Sequence, residues 1–149
     1  MDVKTTFLNG VVEEVYVEQP QGFETHYRET HVCKLKKALY GLKQAPRMWY
    51  GMIDGFLKSM GFTKSKADSN LYYKVVDDEG PVVLLLYVDD LFLTREEKLI
   101  AECKKKLAVE FEMKDLGQMH YFLGLEVWQN PREIFLSQGK YAVEILKRF

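Results

Sequence analysis

An apolar run, Pro81-Val82-Val83-Leu84-Leu85-Leu86-Tyr87-Val88, ends in two adjacent carboxylates, Asp89 and Asp90, and apolar character then resumes at Leu91-Phe92-Leu93-Thr94. No polar residue alternates through the run, so it reads as a strand buried on both faces of a sheet. The resumption after the acids reads as a returning strand, which puts Asp89-Asp90 at the tip of a tight hairpin. Aspartate suits turns because its side chain bonds nearby backbone, and for an isolated Asp-Asp pair that is the simpler reading. A rigid tip with two carboxylates also suits a hard divalent cation such as Mg²⁺, which takes oxygen ligands and needs them held still.

The 149 residues amount to one domain's worth of chain, 47% hydrophobic and 29% charged, without repeat or biased tract, so a sizeable core is within reach. The net charge of −1 carries no global signature of nucleic-acid binding. Basic residues are instead gathered locally, at Lys34, Lys36, Lys37, Lys43 and Arg47, a cluster that also suits a merely solvated face. Cys33 and Cys103 lie far apart with no metal-ligand spacing and read as reduced, half-buried thiols of a cytosolic protein. His26, His31 and His120 have no zinc-like pattern. The longest apolar run is far too short to span a bilayer, and no targeting segment is visible. The chain begins within a predicted strand and stops within an amphipathic helical segment, Tyr141 to Phe149, as a piece of something larger would.

Residues 2–8 and 14–18 are strand candidates joined by a turn at Asn9-Gly10. Val32 to Leu35 is a short strand after a polar loop over 24–31. Pro46 opens a helix in the first-turn position that proline tolerates; Trp49, Ile53, Phe56, Leu57 and Met60 follow at helical spacing, and Gly61 stops it. Leu71 to Val76 and Val82 to Val88 form a hairpin through 77–81. Glu96 to Glu112 is a second amphipathic helix with Ile100, Cys103, Leu107 and Phe111 inward, broken at Asp115-Leu116-Gly117. Met119 to Trp128 and Glu133 to Leu136 pair around Asn130-Pro131, and a third helix begins near Gln138. The sum is an α+β fold, an antiparallel sheet with helices on one face.

If strand 2–8 lies beside hairpin 82–94, Asp2 joins Asp89 and Asp90 as a third carboxylate. Three carboxylates from two strands are the minimum protein contribution to a two-metal site for in-line phosphoryl displacement, with no histidine or serine nucleophile required.

The segments Met1-Asp2-Val3-Lys4-Thr5-Thr6-Phe7-Leu8-Asn9-Gly10, Ala38-Leu39-Tyr40-Gly41-Leu42-Lys43-Gln44-Ala45-Pro46-Arg47 and Tyr87-Val88-Asp89-Asp90 resemble the reverse transcriptases of copia-type LTR retrotransposons. Phe111 to Gly117, Tyr121 to Val127 and Leu136 to Tyr141 continue the likeness in order along essentially the entire chain. The resemblance implies a polymerase palm with part of the fingers: a single reverse transcriptase domain fragment over residues 1–149, truncated at both ends, without upstream fingers, thumb or RNase H. It implies an RNA-directed DNA polymerase that adds deoxynucleotides to a primer with two Mg²⁺ ions, Mn²⁺ being a substitute. Implied partners are an RNA or DNA primer-template, deoxynucleoside triphosphates and the remainder of the Pol polyprotein, integrase and RNase H included, with no membrane. The implied location is the cytoplasm, in a virus-like particle if the element is intact, with cDNA destined for the nucleus.

By the same resemblance, Asp2, Asp89 and Asp90 are the catalytic, metal-binding carboxylates, and the Val3 carbonyl is an extra ligand. Phe7 matches the aromatic gate that excludes a ribose 2′-hydroxyl by bulk; without the likeness it reads as core on a strand. Tyr40, Gly41 and Gln44 belong to the loop against the incoming nucleotide, where Gly41 permits close backbone approach. Lys43 and Arg47 supply phosphate contacts that position nucleic acid without reading it. Lys114 borders the triphosphate, and Phe122-Leu123-Gly124 grips the primer near its 3′ end. Read from pattern alone, Lys114 is a solvated lysine, and Leu123, Leu125 and Val127 are one face of a buried strand.

The chain departs from the family pattern at Thr6, usually alanine, at Arg95, usually glycine, and in an acidic stretch after Gly10 that is one residue short. With Asp2 so near the chain terminus, the fragment alone is expected to have weak or no activity. Two alternatives remain open: a catalytically dead remnant acting at most as a nucleic-acid-binding or interaction module, and a metal-dependent nuclease or phosphatase with a similar acid cluster.

Overall fold

A computed structural model of the chain describes all residues except His26, Arg28, Asp77, Asp78, Glu79, Arg95 and Glu96. The acidic turn at 77–79, the departure at Arg95, His26 and the expected helix start at Glu96 therefore lie outside the described residues. The fold is α+β and divides into two compact units, Met1–Asp115 and Leu116–Phe149.

The first unit is built on a six-stranded antiparallel sheet. Its strands are β1 (Asp2–Val3), β4 (Thr63–Lys64), β5 (Leu71–Val76), β6 (Gly80–Tyr87), β7 (Asp90–Thr94) and β8 (Met113–Lys114), in the order β4-β5-β6-β7-β1-β8. A separate two-stranded ribbon pairs β2 (Tyr16–Val17) with β3 (Cys33–Lys34). Two helices, α1 (Ala45–Ser59) and α2 (Glu97–Glu110), cover one face of the large sheet.

The core follows from register. Tyr72 lies opposite Leu84 and Leu86 opposite Leu91, so these side chains share a face and are buried there with Val3 and Val82. Against them α1 turns Trp49, Ile53 and Leu57, a one-turn spacing, and Leu107 and Phe111 arrive from α2 and its exit. The Phe111 ring meets both Trp49 and Phe56 edge-on, each with centroids 5.3 Å apart. The helix stops where Gly61 adopts φ +86°, open to residues without a Cβ.

Several predicted elements differ. β6 is not buried on both faces: Val82, Leu84 and Leu86 are buried, but Val83 and Leu85 are only half-buried because α1 and α2 pack on the opposite side. A run of apolar residues records hydrophobicity on both faces of a strand, not what packs on them. The strand expected over 2–8 is only Asp2–Val3. Thr5 takes a left-handed conformation, φ 49°, and the chain turns into a 3₁₀ helix over Thr6–Asn9, so no hairpin forms with 14–18. β2 pairs with β3 instead, and Gly10 accepts a backbone hydrogen bond from Ala38.

The helix-to-sheet junction is fastened by a polar network. Asp54 accepts from Tyr72 Oη at 2.6 Å and Lys58 Nζ at 2.7 Å, and pairs with Lys64 Nζ at 3.1 Å. Burial pushes the Asp54 carboxyl up, but the bonds from Lys58, Tyr72 and Lys64 together outweigh it and hold the pKa at about 2, below its ordinary 3.8. A depressed folded pKa means that this contribution to stability is full above about pH 4 and is lost as pH falls toward 2. Asp54→Asn is expected to cost about 1–3 kcal/mol at neutral pH. The gap between variant and parent in urea unfolding should narrow below pH 4.

The second unit is a three-stranded sheet, β9 (Tyr121–Phe122), β10 (Leu125–Asn130) and β11 (Glu133–Ser137), followed by α3 (Gly139–Arg148). The strand expected from Met119 to Trp128 is broken, because Leu123 and Gly124 take φ 47° and 84° as a two-residue turn between paired Phe122 and Leu125. Positive φ at both central positions is the I′ turn suited to hairpins. Leu123 is accordingly 61% exposed, not on a buried face with Val127. Among the described residues no helix is long and apolar enough to cross a membrane.

Candidate active site

The acids meet because β1 fits between β7 and β8. The Met1 amino group donates to the Leu91 carbonyl at 2.8 Å, and Leu91 N–H donates back to Met1 at 2.8 Å. That exchange makes Met1 and Leu91 a hydrogen-bonded pair. The next pair in register, Asp2 opposite Asp90, is therefore the non-hydrogen-bonded kind, in which Cα atoms approach to about 4.5 Å and side chains lie closest. Residues directly opposite share a face, so both carboxylates project from the sheet side away from the helices. On β1's other edge Asp2 pairs with Lys114, which places a lysine on that same face. Their neighbours Met1, Val3 and Leu91 point into the core and anchor the arrangement.

The hairpin turn itself consists of Val88 and Asp89, since Tyr87 pairs with Asp90. Asp90 is thus the first residue of β7 rather than part of the tip. Asp89 is tied to β1 by the Val3 N–H, which donates to its carbonyl at 2.9 Å. Burial raises the Asp90 carboxyl above its ordinary pKa, and the negative charges of Asp89 and then Asp2 raise it further, while the terminal ammonium opposes them. Asp89 and Asp2 thus make Asp90 harder to ionise, a tension that a bound cation relieves.

Among the described residues, no three His, Cys, Asp or Glu side chains form a ready group for holding a metal ion. The donor chemistry nevertheless fits a hard divalent cation that keeps several ligands from water and phosphate. The Val3 carbonyl accepts a hydrogen bond from the buried Thr6 hydroxyl at 2.8 Å, which leaves one of its two lone pairs. Thr6, a departure from the family pattern, fastens the 3₁₀ turn to β1 through this bond.

Phe7 sits on that 3₁₀ turn and not on a strand. Its ring meets Tyr40 edge-on, centroids 4.9 Å apart at 61°. Gly41 beside Tyr40 has φ +91°, a left-handed conformation that lets the loop turn back toward α1. Lys43 and Gln44 are exposed just before the helix, and Arg47 is exposed in its first turn. Phe7 and Arg47 line a cavity of about 430 Å³ together with Pro46, Trp49, Tyr50, Asn70 and the hairpin residues Leu86, Tyr87 and Val88. Phe7, Arg47 and the hairpin residues before the acids therefore border one space, whose lining does not include Asp2, Asp89 or Asp90. Phe122, Leu123 and Gly124 form the first hairpin of the second unit.

Trp49 escaped the sequence reading, which gave it only a core role. Its indole Nε1 donates to the Val88 carbonyl at 2.6 Å, from the second turn of α1 into the hairpin turn. The available signal was chemical: a buried tryptophan needs a partner for its N–H.

Over residues 1–149 the chain matches the family described as "Reverse transcriptase (RNA-dependent DNA polymerase)". The chain belongs to this reverse transcriptase family. It is 46% identical, over its whole length, to the retrovirus-related Pol polyprotein from transposon TNT 1-94 of Nicotiana tabacum, covering 12% of that polyprotein. Its identity to the corresponding RE1 polyprotein of Arabidopsis thaliana is 40%, over 99% of this chain and 10% of the relative. A putative transposon Ty5-1 protein of Saccharomyces cerevisiae is 39% identical over 97% of this chain and 47% of the relative. The sequence-based expectation of a copia-type reverse transcriptase is borne out, and the chain spans about a tenth of the length of the first two polyproteins. No solved structure matches the chain.

Proposed function

We propose that this reverse transcriptase domain contributes the palm of an RNA-directed DNA polymerase and catalyses deoxynucleotide addition to a primer. The observation that carries the reading is the register of Asp2 against Asp90 on the sheet face opposite α1 and α2, one residue from Asp89. Asp2, Asp89 and Asp90 would hold two Mg²⁺ ions, or Mn²⁺ in their place, with the free lone pair of the Val3 carbonyl as a further donor. When bound, such ions activate the primer hydroxyl and neutralise charge on the leaving pyrophosphate.

The chain's own residues do the positioning. Phe7, steadied edge-on by Tyr40, stands where a ribose 2′-hydroxyl would project and excludes it by bulk. Gly41 and Gln44 bring the loop against the nucleotide. Arg47 and Lys43 bind phosphate oxygens without base preference. Lys114, cross-strand from Asp2, offers a positive charge beside the triphosphate. The Leu123-Gly124 turn and Phe122 hold the primer strand. The template-primer, deoxynucleoside triphosphates and the other parts of a Pol polyprotein are the partners, with synthesis in a cytoplasmic particle.

The test is a chimera in which this chain replaces the corresponding segment of the tobacco polyprotein. Mg²⁺-dependent extension of a DNA primer on RNA is expected, abolished by EDTA. A chimera that binds primer-template in a salt-sensitive way but does not extend it, while its parent does, would favour the inactive binding module.

A further inference from the structure

We propose that Trp49 is a positioning residue for this site, its indole holding the Val88-Asp89 turn in the conformation that presents the acids. The inference rests on the polymerase reading above but concerns a residue that acts through the Val88 carbonyl.

Val88 has φ 54°. Left-handed backbone is uncommon for any residue with a side chain and is an outlier for a β-branched one, because Cβ crowds the carbonyl oxygen. In a two-residue hairpin turn with positive φ only at its first central position, glycine is the favoured residue there. Valine at this place needs something to hold it, and the structure supplies one contact. The Trp49 N–H reaches the Val88 carbonyl at 2.6 Å from an indole that is only 2% exposed. That ring is itself fixed, edge-on against Phe111 at 5.3 Å.

The consequence follows from peptide planarity. Fixing the direction of the Val88 carbonyl also fixes the N–H and Cα of Asp89, since they lie in the same plane. On the far side of that residue, the Asp89 carbonyl is bonded to Val3 N–H at 2.9 Å. Asp89 is thus held at both ends, by α1 through Trp49 and by β1 through Val3. Removing the first tie frees the turn to relax toward negative φ, and Asp89 rotates away from Asp2 and Asp90. Strain held by surrounding structure at a functional turn is the general pattern of preorganised sites.

Trp49→Phe deletes the N–H while keeping an aromatic ring in the core. In the 149-residue chain its amide NMR signals for residues 87–90 should broaden or split, with those of Ile53 and Leu57 unchanged. In the chimera, the Mg²⁺ concentration for half-maximal extension should rise about tenfold, the scale for losing a group that orients metal ligands, while KM for the nucleotide stays within about twofold. Adding Val88→Gly to Trp49→Phe should restore the Mg²⁺ requirement, because glycine takes positive φ without support. Unchanged signals at 87–90, an unchanged Mg²⁺ requirement, or no rescue by glycine overturns the proposal. Hydrogen exchange of the Trp49 indole in the parent chain is the check should Trp49→Phe not fold: slow exchange is expected, and the rate of an open indole overturns it. A chimera that never extends primers counts against the polymerase reading alone, because the signals at 87–90 and the indole exchange still judge Trp49.

Discussion

Asp89→Asn is expected to lower nucleotide addition by about a thousandfold or more in the chimera, equivalent to about 4 kcal/mol of transition-state stabilisation. The substitution is nearly isosteric, and asparagine suits turns as well as aspartate does, so the hairpin persists. What goes is one of the three negative charges gathered where β1 meets the β6-β7 turn. Burial and then the charges of Asp89 and Asp2 push the Asp90 pKa up, so the site is under electrostatic strain without a cation. An acid whose folded pKa is raised costs stability once pH exceeds its unfolded value and regains it as pH falls. Asp89→Asn should therefore melt at or above the parent's temperature at neutral pH without divalent cations, while activity collapses. A loss of less than tenfold in single-turnover incorporation would remove Asp89 from the machinery.

The second large effect is on sugar choice. Phe7→Ala is expected to relax discrimination against ribonucleotides on the order of 10²-fold, with deoxynucleotide incorporation falling far less. The ring borders the cavity that Leu86, Tyr87 and Val88 of the hairpin also line and is braced by Tyr40, so truncation enlarges that space, which on the proposed reading adjoins the nucleotide sugar. Measured kcat/KM ratios for matched dNTP and rNTP decide it. Equal losses for both sugars would make Phe7 a packing residue only.

The two halves of the site were legible in the sequence to different degrees. The hairpin carrying Asp89 and Asp90 was readable because an apolar run, two acids and a second apolar run allow little else. That Asp2 lies beside it is, in the sequence, only the consequence of an assumed strand pairing, and the pairing with Asp90 follows from hydrogen bonds at Met1 and Val3 that no local pattern announces. Phe7 was expected on a strand because residues 2–8 favour extended structure. The left-handed Thr5 and the Thr6 hydroxyl's bond to Val3 override that preference. Leu123 failed for a related reason: its alternation with Leu125 and Val127 mimics a strand, but the chain turns there. β6 shows what periodicity cannot carry, since half-buried Val83 and Leu85 are as apolar as buried Val82 and Leu84. Trp49 was hidden by its own hydrophobicity, its function resting on a single N–H.

Convergence of Asp2 with Asp89 and Asp90 on shared divalent cations is the claim on which the chemistry stands. Titrating the chain with Mn²⁺ and following paramagnetic broadening of its amide signals reads that convergence directly. Residues 2, 89 and 90 should broaden together at the lowest Mn²⁺ concentrations, with Mg²⁺ competing. Broadening that begins elsewhere, or that reaches 89 and 90 while the signal of residue 2 stays sharp, would contradict it.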